Sequence, residues 1–208
     1  MKISYAITVK DELNELQCLV NFLIDQKRTE DEIVILYDSK NGSKAVEKWL
    51  QSNPVANHEY RWHSREFNNH FAEHKNYLNN LCIGTHIFQI DSDELPHEQL
   101  IENLPFMLQH NSAVELYAVP RVNTVEGLTQ DHIQKWGWNV NENGWVNWPD
   151  FQTRIYKNTP EIKWINKVHE RLDGHKQFAY LPMDEEYALY HPKTIERQEK
   201  QNNYYNTL

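Results

Sequence analysis

The sequence predicts an α/β fold, with a mostly parallel central sheet flanked by helices, on three observations. Strand-like and helix-like segments alternate four times through the first half of the chain, joined by short polar connections. The apolar run Ile87–Ile90 leads straight into Asp91-Ser92-Asp93, which delivers carboxylates to the C-terminal end of a buried strand, where open α/β sheets keep their ligands. The length of 208 residues, with 39% hydrophobic and 25% charged residues, suits a single domain, 1–208, able to bury a proper core.

Each element has its own reason. Ile3–Val9 alternates and is β-branched at several positions, a first strand. Lys10-Asp11-Glu12 makes a polar turn, after which Leu13, Leu16, Val20, Leu23 and Ile24 recur at helical spacing as far as Gln26. Glu32–Tyr37 is a second strand, ending on Asp38. Asn41-Gly42 marks a turn, and Ser43 is placed to cap a helix through Leu50. His58–Trp62 reads as a third strand. Phe71, Leu78, Leu81 and Cys82 line one face of a helix, with Gly84 as its expected C-cap. After the strand to Ile90, Pro96–His110 is the next helix, since a first-turn proline forfeits no intrahelical hydrogen bond. Val114–Arg121 is another strand. Thr124–Pro149 is rich in Gly, Asn and Trp without periodicity, and is expected to be a long binding loop or lid. Phe151–Lys157 and Tyr187–His191 are late strands, and Thr194–Tyr205 is a polar terminal helix.

Composition narrows the function. A net charge of -9 argues against a broad basic grip on nucleic acid, but leaves room for a polyanionic small ligand neutralised by a bound cation. No apolar run nears the roughly 20 residues of a membrane span, leaving peripheral membrane contact open. The N-terminus enters a strand pattern without a secretory segment, and Cys18 and Cys82 read as reduced core residues, so a cytoplasmic protein is expected. Trp136, Trp138, Trp145, Trp148 and Trp164 crowd one third of the chain, placed either to stack on a sugar or base or to pack a loop-rich half.

Several motifs are missing. No Gly-x-Gly-x-x-Gly follows the first strand, and no Gly-x-x-x-x-Gly-Lys-Ser/Thr occurs. His70 and His74 stand four apart, but Glu73 precedes the second His rather than following the first, which fits a polar helix face better than a zinc site. Asp91 and Asp93 remain. Close carboxylates repel, so they stay ionised near a cation or in water; a divalent metal against a phosphate and a solvated acidic turn both satisfy that.

Four segments together resemble family 2 glycosyltransferases of the GT-A (nucleotide-diphospho-sugar transferase) fold, within them the lipopolysaccharide-core β-glucosyltransferase-like branch. They are Ser4–Glu12, Glu32–Ser39, Phe71–Tyr77 with Gln89–Glu94, and Pro149–Tyr156 with Val168–Glu170, with Tyr190-His191 at a fitting distance beyond. The resemblance implies a nucleotide-binding half, 1–95, and a loop-rich acceptor half, 96–208. It implies Mn2+ or Mg2+ on Asp93, with Asp91 joining through water or the ribose, and His191 as a further ligand better suited to Mn2+. Asp38 is expected at the base edge, Lys75 at the pyrophosphate, and Val9 and Glu12 in the nucleotide-binding turn. The alternatives are a solvated helix lysine at Lys75 and a capping or core His191. The general base of an inverting transfer is expected to be Glu170, or else Asp150, although Glu170 equally suits a salt bridge to Arg154 or Arg171. The implied activity is hexose transfer from a nucleotide sugar, UDP-linked, to a glycan, lipid-linked or other hydroxyl acceptor. A sugar-nucleotide nucleotidyltransferase shares the sheet and metal logic but calls for a Gly-rich basic loop, absent from Thr8-Val9-Lys10-Asp11. A carbohydrate-binding protein using the tryptophans would need neither nucleotide nor metal.

Overall fold

The computed structural model describes residues 1–52 and 59–205, without the side chains of Tyr204 and Tyr205. Its main sheet contains β1 (Ile3–Val9), β2 (Glu32–Asp38), β3 (Tyr60–Arg65), β4 (His86–Asp91), β6 (Leu116–Val119), β8 (Gln152–Lys157) and β11 (Phe178–Tyr180). They lie side by side in the order β11-β6-β8-β4-β1-β2-β3. The pairs β1–β2, β1–β4, β2–β3 and β6–β11 are parallel, and β8 alone among these strands runs against its neighbours β4 and β6. The architecture is the mostly parallel α/β sheet that the alternating segments predict.

The pleat of β1 explains the two-sided core. Ile3, Tyr5 and Ile7 face one side with Ile33, Ile35 and Phe88, against α1 (Leu13–Gln26), α2 (Lys44–Ser52) and α4 (Glu98–His110). Ala6 faces the other side with Val34, Leu36 and Ile87, against α3 (Phe71–Leu81) and Trp164. Strands buried on both faces need continuous apolar runs, which β1 and β2 have.

A smaller sheet joins β5 (Leu95–Pro96), β12 (Leu189–Thr194) and β7 (Arg121–Glu126), with β12 in the middle, and β9 (Lys163–Ile165) pairs with β10 (Arg171–Asp173). Two further helices are α5 (Gln130–Trp136) and α6 (Ile195–Tyr205), and a 3-10 turn lies at Glu185–Tyr187.

Several expectations are corrected. Pro96 ends β5 rather than opening a helix; α4 starts at Glu98, where the imidazole of His97 caps the amide of Gln99. The strand expected over Val114–Arg121 is broken at Pro120, which has no N–H for a ladder, and the chain continues as β7 in the other sheet. Thr124–Pro149 is not structureless. It contains the end of β7 and helix α5, capped by Thr129 and His132 in a reciprocal pair and closed by Gly137 at φ 64°. Gly84 is no C-cap: α3 ends at Leu81, and a Cβ on Gly84 would stand 2.6 Å from Ser4 Oγ and 2.7 Å from Ser4 N. Cys18 is exposed, whereas Cys82 is buried as expected. The third strand runs Tyr60–Arg65, and its expected start at His58 lies outside the described residues. The late strand begins at Leu189 and extends to Thr194.

Candidate active site

The strands β1, β2 and β4 end on the same edge of the sheet, and a cavity of about 680 Å³ opens there. Thr8, Val9, Glu12, Asp38, Lys75, Asp91, Asp93, Arg154, Glu170 and His191 all line it, and Arg121 and Lys193 close its far side. The sequence-predicted site residues therefore converge, with the exception of Asp150, which lines a smaller adjoining cleft of about 210 Å³.

Asp38 organises the turn after β2. Its Oδ1 accepts from the amides of Lys40 (3.0 Å), Asn41 (3.2 Å) and Phe67 (3.1 Å), and its Oδ2 from the Asn41 side chain (2.8 Å). Burial pushes its carboxyl up, but these donors outweigh that and hold it below the usual range.

Asp91 and Asp93 are held differently. Asp91 Oδ2 accepts from Arg154 at 2.7 Å, its Oδ1 from the Thr8 hydroxyl at 3.2 Å, and Lys75 Nζ stands 3.8 Å away. Burial works against the charge of Asp91, yet Arg154, Lys75 and Arg121 keep its carboxyl well below the usual range. Asp93 turns the other way, towards β12 and α6. Its Oδ2 lies 3.3 Å from His191 Nε2 and 3.3 Å from Arg197 Nη2. Against burial, the His191 contact brings the Asp93 carboxyl down to about 2. The other nitrogen of His191, Nδ1, meets Asn123 Oδ1 at 2.8 Å, which fixes the ring.

Lys75 is 5% exposed, and its Nζ donates to Glu170 Oε1 at 2.7 Å and lies 4.5 Å over the Trp164 ring. It is thus no solvated helix lysine. Glu170 pairs with Lys75 rather than with Arg154 or Arg171; Arg171 lies 3.8 Å from Asp173 instead. The oxygens of Asp150 accept from Arg121 Nε (3.0 Å) and Nη2 (2.6 Å), Asn123 (2.9 Å) and Gln152 (2.8 Å). Glu12 Oε2 accepts from the amides of Lys10 and Asp11 and from Ser92, and its Oε1 from Arg197.

Sequence reasoning passed over the polar floor beneath this edge. Glu94, 1% exposed, accepts from Arg154 at 2.6 Å and from Arg121 at 3.0 Å, and Arg154 bridges it to Asp91. The signal was present in Gln-Thr-Arg-Ile-Tyr-Lys, where Arg154 stands in the middle of a strand, at a bulge in its pairing with β6. A strand arginine pointing inward demands a buried acid.

Among the described residues no group of three or more His, Cys, Asp or Glu converges as a ready cation cage. Asp93 Oδ2 and His191 Nε2 nonetheless supply a carboxylate oxygen and an imidazole 3.3 Å apart. By its chemistry that donor pair would suit Mn2+ better than Mg2+. The tryptophans largely pack on one another: Trp136 lies 4.6 Å from Trp138, and Trp145 4.9 Å from Trp148.

A parallel-sheet edge with a carboxylate at the end of β2, a second acidic pair at the end of β4 and buried cations between them places a polar cavity where open α/β proteins keep their ligands. The family model for Glycosyl transferase family 2 matches residues 4–172, and the chain belongs to that family. Among solved structures it is similar to TarS of S. aureus, with a TM-score of 0.65 at 15% identity, over 92% of this chain and 37% of that one. A 1–349 fragment of TarS in complex with UDP-GlcNAc aligns with a TM-score of 0.61 at 16% identity, over 93% of this chain and 59% of the fragment. The same fragment in complex with UDP gives 0.59 at 15% identity, over 92% and 60%. The chain thus spans well under two thirds of these relatives, and they share its GT-A fold. No curated protein matches the sequence.

Proposed function

We propose that the chain is an inverting glycosyltransferase that moves a hexose from a UDP-sugar to a hydroxyl acceptor, with Mn2+ or Mg2+ in the site. The observation that carries this reading is the gathering of Asp38, Lys75, Asp91, Asp93, Glu170 and His191 around one cavity at the ligand edge of the sheet. The UDP and UDP-GlcNAc complexes of the similarly folded TarS support the choice of donor.

Each side chain has a task in that reaction. Asp38, with Val9 and Glu12 flanking, receives the nucleoside at the ends of β1 and β2. Lys75 and Arg154 keep Asp91 ionised beside the diphosphate. Asp93 and His191 would hold the cation, which when bound supplies Lewis-acid stabilisation of charge on the leaving diphosphate, worth several kcal/mol. Glu170 takes the proton of the acceptor hydroxyl as its oxygen attacks the anomeric carbon from the face opposite the departing diphosphate, so the configuration inverts. Asp150 is the poorer base. Burial raises its carboxyl, but Arg121 and Asn123 more than offset this and hold it below the usual range, on oxygens already engaged.

Titration of UDP with and without Mn2+, on the unmutated protein and on Asp93→Ala, tests the site. UDP should bind with the metal and lose that dependence in the variant; unchanged UDP affinity in Asp93→Ala overturns the metal assignment. Failure to hydrolyse or transfer any member of a sugar-nucleotide panel overturns the transferase reading.

A further inference from the structure

The base end of the cavity holds one group that the reaction above leaves without a task. His74, on α3 just before Lys75, is 8% exposed and lines the cavity beside Asp38, Asn41, Phe67 and Phe71. Phe67 packs edge-on to its ring at 5.4 Å, and Phe71 lies 4.7 Å from Phe67, so the ring is fixed in an aromatic wall. Burial, with Asp38 opposing and Arg65 and Lys75 assisting, lowers its pKa to about 4, and the imidazole is neutral at pH 7. A neutral imidazole carries one donor and one acceptor nitrogen. Nδ1 is sealed from solvent and takes no hydrogen bond among the described residues. An orphaned buried N–H is rarer than a buried lone pair, so the proton belongs on Nε2, the nitrogen that is not sealed. Nearby, Asp38 has three backbone donors on Oδ1 and the Asn41 amide on Oδ2, which leaves Oδ2 with acceptor capacity.

We propose that His74 is a specificity-determining residue for the nucleobase: its Nε2–H donates to the 4-carbonyl of uracil while Asp38 Oδ2 accepts from the adjacent ring N3–H. The inference rests on the UDP-sugar reading and adds to it the means of choosing the base. Cytosine offers an amino group in place of the 4-carbonyl and a lone pair in place of N3–H. It would set donor against donor and lone pair against carboxylate, leaving buried polar groups unpaired.

Calorimetric titration of UDP and of CDP, each with Mn2+, tests this on the unmutated protein, His74→Phe and His74→Gln. The unmutated protein should prefer UDP by about tenfold or more. His74→Phe, which keeps the aromatic filling, should lower UDP affinity about tenfold and leave CDP within about twofold, while His74→Gln, with an amide donor, keeps part of the preference. A preference undiminished in His74→Phe, or UDP and CDP affinities that fall together, overturns the assignment of His74 and leaves the transferase reading standing. A protein that binds neither nucleotide overturns both. The unmutated protein gives an independent check, because 4-thio-UDP, with its weak thiocarbonyl acceptor, should bind about threefold more weakly than UDP. Equal affinity for the two overturns the proposal.

Discussion

Replacing Arg154 with Met removes a cation that the buried Glu94 and the half-buried Asp91 share. Arg154 Nη2 stands 2.7 Å from Asp91 Oδ2 and 2.6 Å from Glu94 Oε1, deep in the floor of the cavity. Methionine fills much of the same space but leaves both acids short of a partner. Removing one member of a buried ion pair costs roughly 3–5 kcal/mol. Arg121 still reaches Glu94 at 3.0 Å, which places the expected loss near the lower end, about 3 kcal/mol. For a chain of this size each kcal/mol shifts Tm by about 2–4 °C, so Tm should fall by roughly 6–12 °C. The pH dependence has a definite sign. Against burial, Arg154 is the leading cause that depresses the folded-state pKa of Asp91, so the ionised Asp91 stabilises the fold above its unfolded value of about 3.9. That contribution is lost as the pH falls below it, and without Arg154 less of it exists to lose. The deficit of Arg154→Met should therefore be full at pH 7 and smaller near pH 2. Urea unfolding at the two pH values measures it. A deficit under about 1 kcal/mol at pH 7, or one of equal size at both, would refute the buried-bridge account.

Three further changes probe other links. Gly84→Ala should destabilise by about 1–3 kcal/mol in urea, since the new Cβ meets the backbone of Ser4 and, at 2.9 Å, the carbonyl of Lys2, which cannot rotate away. Glu170→Gln should lower kcat by about 100-fold or more with UDP affinity nearly unchanged, whereas Asp150→Asn should act mainly on stability through Arg121; the reverse pattern in kcat would move the base to Asp150. Thr129→Ala should cost α5 about 1 kcal/mol and speed proteolysis between residues 124 and 149, and unchanged cleavage would show that the cap does not hold this excursion.

The first half of the fold was legible because its strands are buried on both faces. Ile3–Val9 and Glu32–Asp38 are apolar runs that fit few other structures, and their boundaries match the observed strands. The second half was harder to read for identifiable reasons. Short strands such as Lys163–Ile165 and Arg171–Asp173 carry too few residues for a period to show. Pro120 divides what one hydrophobic stretch seemed to join, and Thr129 with His132 forms a cap whose histidine stands where Glu or Gln is the usual signal. In the candidate site, motif, position and family resemblance pointed to Asp38, Asp91, Asp93 and His191, which line one cavity. They did not point to Arg121, Arg154, Glu94 and Arg197, because ion pairs between residues as far apart as Glu12 and Arg197 leave no local pattern.

The reversed direction of β8 has a consequence for how such a protein can diversify. Because β8 runs against β4, its first residues, rather than its last, lie at the ligand edge, and Arg154 enters the floor near the start of a strand. The segment from Arg121 to Asp150 thus leaves the rim of the cavity and returns to that same rim, its two ends joined by the Arg121–Asp150 ion pair. Residues can be added, removed or exchanged along that arc without shifting the strand register beneath it. The floor is a fixed plate, and the arc above it is free to be rewritten.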